Sequence, residues 1–495
     1  MRICLLLFVI INLLKPQLLL ATSYTIDYNE RCEKASKEFL SLRIDEGTSL
    51  IRQELTAQPH NLMAVYVSDY QDVLPLLFNG DKSQLPTRKK FMDERLSLIE
   101  KGNSKSPWYL TFKAGIHLHW ALVYMRMGEN YKAAIFFRKA YLYAKENQSK
   151  YPTFSYNKYF IGIGEAVIGT LPDEYKWIAS LFGMKGNVNQ GLAKLTTFIN
   201  SSAEDDFFRS EAIIFHCYLK FYLQSRQDEV WRYLNSNQFS ITNNPMHAFV
   251  KANIALNYRK ADVAIQTLQS VQQTKAFSQF PAFDYELGSA YMLKLDDRAS
   301  SYFLHFLQKD KGGFFVKDAY MQLALIYYMQ GKMPQANSYR QAIKKHGGLY
   351  TDADKQAQRF ASHLDWVAIP VLKSRFLIDG GFYQEALEIL NDTKVQTLAK
   401  PSDKLEYYFR MARTYDELNN DAKAKEYYQI TIHQGRFRKE HFAARAALQL
   451  GFMYERANKA TEAISMYNEC LSMKNHDFQA NIDQQAKAGL NRLHQ

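Results

Sequence analysis

Apolar residues recur along most of this 495-residue chain at intervals of three and four, the spacing that lines one face of an α-helix, and charged residues interrupt every apolar run past the N-terminus. Near the C-terminus the pattern takes a definite form, Leu450-Gly451-x-x-Tyr454 followed by Ala463-x-x-x-Tyr467-x-x-Cys470, with an interval of twelve between Gly451 and Ala463. Antiparallel helices joined by a short turn approach closely only where a small residue sits at the crossing of their axes and larger ones flank it to fill the grooves. The spacing therefore predicts a helix hairpin with Gly451 and Ala463 at the contact. Leu450, Tyr454, Tyr467 and Cys470 form the apolar stripe that it buries against a neighbour.

One hairpin has too little core, so the phrase should recur upstream, and it does. Met411-Ala412-x-x-Tyr415 leads to Ala424-x-x-x-Tyr428, and Leu323-Ala324-x-x-Tyr327 leads through Gly331 to Ala336. Leu287-Gly288-x-x-Tyr291 precedes Ala299, one residue short of the ideal interval, and Ala252 with Ala264 restores it. Ile178-Ala179-x-x-Phe182 runs to Gly191, and Trp120-Ala121-x-x-Tyr124 runs through Gly128 to Ala133. Gly47 and Ile51, closed by Pro59-His60-Asn61, give a looser N-terminal version. Tyr and Phe are abundant, at 33 and 32, as suits aromatic knobs beside Ala and Gly; the 12 Pro fall mostly between predicted helices. The expectation is an all-α chain with almost no strand.

The recurring small and aromatic positions resemble the tetratricopeptide repeat, a helix pair that stacks on copies of itself. Together with Phe182-Gly183-Met184-Lys185-Gly186-Asn187, Lys311-Gly312-Gly313-Phe314-Phe315 and Asp379-Gly380-Gly381-Phe382-Tyr383, they make the chain similar to exported bacterial proteins of that family. The resemblance implies a right-handed α-solenoid. It divides into a leader at 1–23, helix pairs at 24–150, degenerate pairs at 151–275, repeats at 276–350, a linking pair at 351–400 and C-terminal repeats with a capping helix at 401–495. It also implies protein binding, with the first helix of each pair facing a groove. Carried onto this chain, the groove positions are Tyr285, Met292, Met321, Tyr328, Phe409, Arg413, Arg445, Phe452 and Arg456. They do not form the clamp pattern of chaperone-tail binders, and their mixture of aromatic and charged groups suits a partner surface of mixed polarity.

Arg2, the apolar run Ile3 to Leu14, Lys15-Pro16 and a closing Ala21-Thr22-Ser23 read as a secretory signal cleaved near Ser23, too short in its apolar part to span a bilayer. Localisation is accordingly expected to be periplasmic or extracellular. Without the leader, Cys32, Cys217 and Cys470 remain, an odd and scattered set that makes no disulfide framework.

The formal charge of +12 favours anionic neighbours, but basic runs such as Arg88-Lys89-Lys90 are followed at once by Asp93 and Glu94. No basic stripe with stacking aromatics emerges, which argues against nucleic acid as a partner. His117 and His119 are two apart, on different sides of a helix, and no metal or phosphate motif is present; Gly162-Ile163-Gly164 lacks the third glycine of a dinucleotide site. No catalytic residue, cofactor or metal site is assigned, and the reading is a non-catalytic adaptor for a protein or peptide. A glycan-binding surface protein built on similar helices ranks second, because such lipoproteins carry a lipidation cysteine that this leader lacks. An enzyme ranks third.

Overall fold

A computed structural model of the chain describes residues 24–171, 183–204, 206–224, 226–363 and 365–493, together with Ser180; the leader at 1–23, and Ala179 with its phrase, lie outside the described residues. Among those residues the structure is helical, with one isolated parallel bridge between Thr25 and Asn61. No helix there is long and apolar enough to cross a membrane. The chain divides into two compact units at Val230/Trp231, inside the block that the sequence pattern treats as one at 151–275.

The first unit contains α1 (Glu30–Phe39), α2 (Ile44–Ala57), α3 (Leu62–Val67), α4 (Tyr70–Asn79), α5 (Leu85–Ile99), α6 (Pro107–Arg126), α7 (Asn130–Lys150), α8 (Asn157–Ile168), α9 (Val188–Ser201) and α10 (Phe207–Leu223), and α11 (Gln227–Leu234) spans the boundary. Its hairpins are α1–α2, α6–α7 and α8–α9. The second unit runs through α12 (Pro245–Asn257), α13 (Ala261–Gln269), α14 (Lys275–Gln279), α15 (Pro281–Leu293), α16 (Arg298–Lys309), α17 (Val316–Met329), α18 (Met333–Lys345) and α19 (Asp352–Ser362). It continues with α20 (Ile369–Gly380), α21 (Tyr383–Asp392), α22 (Pro401–Glu417), α23 (Asp421–Gly435), α24 (Phe442–Arg456), α25 (Ala460–Ser472) and α26 (Gln479–Leu493). Six hairpins pack here, α12–α13, α15–α16, α17–α18, α20–α21, α22–α23 and α24–α25, with α19 on α17 and α18, α20 reaching back to α15, and α26 on the last hairpin. This is the repeat architecture of an α-solenoid. Pro107, Pro245, Pro281 and Pro401 occupy the first turns of helices rather than the gaps between them, where a missing N–H costs nothing and the fixed φ favours helix entry.

One turn geometry recurs. Leu42, Gly128, Arg259, Leu295, Gly331, Gly381, Asn419 and Asn458 each adopt a left-handed backbone between the two helices of a hairpin. In each case the next residue's N–H donates to the carbonyl five positions back: Glu129 to Tyr124, Asp296 to Tyr291, Lys332 to Tyr327, Asn420 to Tyr415 and Lys459 to Tyr454, at 2.8–3.0 Å. This bond closes the first helix and reverses the chain within two or three residues. The tyrosine of each sequence phrase is thus the residue whose carbonyl anchors the turn.

Most of the small positions lie where helices approach closely. A Cβ on Gly451 would stand 2.4 Å from the Tyr467 ring, and one on Gly489 of α26 would stand 2.5 Å from the opposite edge, so the ring is clamped between two glycines. Ala463, Ala412, Ala424, Ala324 and Ala336 are fully buried, Ala121 nearly so, and a Cβ on Gly288 would press on Phe303 at 3.2 Å. One described position departs from expectation. Ala133 is only half-buried, because Phe136, one turn on, carries the α6–α7 contact with its ring against His117 and Tyr124. Gly191 packs on α8: a Cβ there would stand 2.4 Å from the Ala166 nitrogen and 2.5 Å from the Gly162 oxygen. The Gly162 and Gly164 pair serves this packing, Gly162 against α9 and Gly164 against Tyr141. Cys32, Cys217 and Cys470 are free and buried, and burial foremost pushes each thiol up to about 12.

Three substitutions test these contacts. Gly381→Ala places a Cβ 2.2 Å from the Arg259 oxygen at a φ of 89°, and should cost about 3 kcal/mol in denaturant unfolding. Asn458→Gly, which only relieves the left-handed backbone, should leave stability unchanged or raise it by less than about 1 kcal/mol. Ala463→Glu puts a charge into a fully buried crossing and should cost about 3 kcal/mol or more. Hydrogen exchange of that variant should show lost protection concentrated in α24, α25 and α26.

Candidate functional site

The second unit carries a ladder of charge along the first helices of its last hairpins. Glu406, Arg410, Arg413 and Glu417 lie at steps of four, three and four on α22, a spacing that aligns them on one face. Arg375 of α20 grips Glu406 with two bonds of 2.8 and 2.7 Å, and Arg410 adds two more at 3.1 and 2.8 Å. Arg413 donates to Glu417, to Asp416 at 3.3 Å and to Gln449 of α24 at 2.9 Å; Arg456 reaches Asp416 at 2.9 Å, and Arg259 also holds Glu417. Arg445 touches only the Gln485 amide oxygen, at 3.5 Å, and has no carboxylate partner among the described residues.

Five guanidinium groups, of Arg259, Arg375, Arg410, Arg413 and Arg456, thus share the carboxylates of Glu406, Asp416 and Glu417, with Asp379 and Asp403 also acting on Arg375, and Arg445 stands beside them without an ion pair among the described residues. Two titrating groups report the excess. Burial first, and then the like charges of Arg413, Arg259 and Arg410, hold the Arg445 guanidinium below its ordinary range. The His441 imidazole is pulled down to about 4 by burial and next by Arg410, with Arg445 and Arg375 adding to it. The face carries net positive charge with part of its hydrogen-bonding capacity unspent, which suits an anionic guest.

The residues assigned to a groove from sequence separate into two groups. Arg413, Arg445 and Arg456 all belong to this ladder, and Phe452 is half-buried with its ring edge on Tyr467. Met292, Met321 and Phe409 are 2%, 9% and 5% exposed, which leaves them almost no surface to present to a partner; Met321 packs with Ile343, Ala357 and Ala361, and Phe409 with Tyr428 and Phe442. Tyr285 and Tyr328 are half-buried and internally engaged, Tyr285 donating to Asp318 at 2.7 Å, and Tyr328 donating to the Val367 carbonyl at 2.9 Å while stacking on Trp366. Arg375, Arg410 and Glu406 were missed, although the i, i+4, i+7, i+11 stripe of charge on α22 was present to be read.

The first unit holds a closed polar centre that sequence gave no reason to expect. His119 of α6 bridges Asp69 and Glu211 of α10, each at 3.1 Å. Asp69 also accepts from Trp120 at 3.0 Å and from Arg95 of α5, which reaches Ser68 and Asp72 as well. Asp69 is 0% and His119 2% exposed. Burial lowers the His119 pKa, but the charges and hydrogen bonds of Glu211 and Asp69 outweigh it, and the imidazole is raised to about 9. The protonated ring therefore donates from both nitrogens at neutral pH. His117, two residues away, turns to the Lys113 carbonyl at 2.7 Å and stacks on Phe136. No group of histidine, cysteine or carboxylate side chains among the described residues is arranged to hold a metal.

Residues 405–429 and 444–477, which span α22 through α25, match the family model described as tetratricopeptide repeat, so the chain carries repeats of that type where the charged ladder is built. No curated protein matches the chain. Among solved structures, it is similar to a human IFIT1 dimer with m7Gppp-AAAA at 11% identity and a TM-score of 0.37, covering 91% of this chain and 96% of that one. It is also similar to the APC/C hetero-tetramer Cut9–Hcn1 at 12% identity and a TM-score of 0.26, covering 94% and 90%, and to yeast Tom70 at 13% and 0.24, covering 94% and 89%.

The His119 centre predicts a pH dependence. A histidine whose folded pKa stands above its unfolded value of about 6.5 contributes stability that is complete below that value and is lost as pH rises through about 9. Thermal melts between those limits should show the first unit losing roughly 3 kcal/mol. In His119→Gln the slope should vanish and the unit should be less stable at pH 6, since two buried carboxylates lose their cation.

Proposed function

We propose that the chain is a non-catalytic scaffold that holds a protein partner against the first-helix face of α20, α22 and α24, recognising an acidic segment. The supporting observation is the guanidinium excess on that face, built on repeats of a type that serves protein binding. Arg445 carries the reading: its charge is partly desolvated, repelled by its neighbours and without a carboxylate partner among the described residues, so an incoming carboxylate relieves the repulsion as it binds. The leader-like N-terminus supports export to the bacterial periplasm or beyond, with cleavage near Ser23.

Affinity capture from the envelope fraction should recover a stoichiometric protein with an acidic stretch, and binding should weaken as salt rises. Arg445→Glu, which places a carboxylate among guanidiniums and should be tolerated by the fold, should weaken that complex about tenfold or more, and more so with Arg456→Glu. A captured partner bound equally well by the double variant would overturn the reading. The mature protein should begin near Tyr24 when sequenced from its N-terminus; cytosolic protein retaining residues 1–23 would overturn the export assignment.

A further inference from the structure

The first unit has an open cleft of about 350 Å³ that the scaffold reading leaves unused. It is lined by Tyr28, Glu33, Met63, Trp108, Tyr156, Ala203, Asp206, Phe207 and Phe208. The walls are aromatic and mutually braced. Trp108 lies 4.8 Å from Tyr156 and 6.3 Å from Phe208, Tyr156 lies 5.3 Å from Phe208, and Tyr28 lies 6.3 Å from Phe207. Trp108, Tyr156 and Tyr28 are half-buried, with part of each side chain at the surface, while Phe207 and Phe208 close the floor.

The polar groups in this lining are acidic. Asp206 caps α10 through one oxygen, accepting from the Arg209 N–H at 3.2 Å, and accepts the Tyr156 hydroxyl at 2.7 Å through the other. It has no ion pair among the described residues, and the adjacent Arg209 guanidinium turns away to the Ile199 carbonyl at 3.0 Å. Among the described residues Glu33 pairs with Lys37, an exposed residue one turn along α1. The combined field is negative: after burial, Glu33 and Asp206 both push the Tyr28 hydroxyl up, and Asp206 does the same to Tyr156. A carboxylate against aromatic walls is poorly solvated, and ring faces attract cations when water is displaced. An organic cation satisfies both at once, whereas a neutral sugar would stack on the rings and leave Asp206 without a countercharge.

We propose that this cleft is a binding site for an organic ammonium group, with Trp108, Tyr156 and Tyr28 against its alkyl surface and Glu33 and Asp206 supplying the countercharge. The volume fits one small quaternary amine or the end of one lysine side chain.

Calorimetric titration of the mature protein with choline chloride, with its neutral isostere in which carbon replaces nitrogen, and with a trimethyllysine tripeptide tests the site. Choline should bind saturably, and the isostere about tenfold or more weakly. Asp206→Asn, which retains the helix cap and the Tyr156 contact, should weaken choline about tenfold, and Glu33→Gln should add to the loss. Trp108→Phe, which keeps the wall but thins its π-face, should weaken binding without lowering the melting temperature. Binding of the tripeptide without choline would support the site and make a protein side chain its source; binding of both would make the headgroup sufficient. Equal affinity for the neutral isostere, tighter binding of a neutral oligosaccharide, unchanged affinity in the Asp206→Asn, Glu33→Gln double variant, or no binding of either cation would each overturn the proposal.

Discussion

A hydrogen bond that reaches back five residues sets the geometry of this protein. Once the residue after the left-handed position donates to the closing carbonyl of the first helix, the second helix has a fixed starting point and direction before its side chains are chosen. The small residue on the first helix then meets an aromatic or small one on the second at a distance that only missing atoms allow, as Gly451 and Gly489 do with Tyr467. Backbone reversal and close crossing are two parts of one constraint. Glycine or asparagine meets it cheaply at five of these turns, whereas Leu42, Arg259 and Leu295 adopt the same backbone at a cost of about 1 kcal/mol each and must be held there by their surroundings.

The two units spend buried charge differently. Around His119 the acceptors of Asp69 meet donors from three directions and every member is buried, so the network fixes the packing of α4, α5, α6 and α10, with Glu211 Oε2 the oxygen it leaves without a hydrogen bond among the described residues. Along α20, α22 and α24 the donors outnumber the acceptors, and the surplus ends at Arg445 and Arg456 on the accessible side. A balanced network rigidifies; an unbalanced one recruits. Arg375, bonded twice to Glu406 across the interface of two hairpins, serves both ends, since it locks adjacent repeats together and contributes to the positive field.

Repeat architecture was legible in the sequence because helix crossings depend on residue size at a fixed interval, and size survives in one-letter form. Gly288, Ala324, Ala336, Ala412, Ala424, Gly451 and Ala463 all pack at buried crossings for this reason. Gly191 meets α8 through Gly162 and Ala166, a contact that the fixed interval does not describe, and Ala179, its partner in the sequence phrase, lies outside the described residues. Three groove residues are buried because position in a helix fixes a direction but not what stands in that direction: Met321 meets α18 and α19, Phe409 meets α23 and α24, and Met292 is 2% exposed. The His119 centre was invisible, as Asp69 and Glu211 reach it from 50 and 92 residues away. The aromatic cleft is likewise assembled from α1, α3, α6, α10 and the loops beside them.

The three cysteines carry a consequence for chemical durability. Disulfide exchange proceeds through the thiolate, and thiols whose ionisation is displaced to about 12 supply almost none of it at neutral pH. Buried in separate helices, α1, α10 and α25, they also have no neighbour with which to pair. These three sites, among the described residues, should therefore be indifferent to the redox poise of their surroundings, keeping the thiol form under oxidising or reducing conditions while the chain is folded.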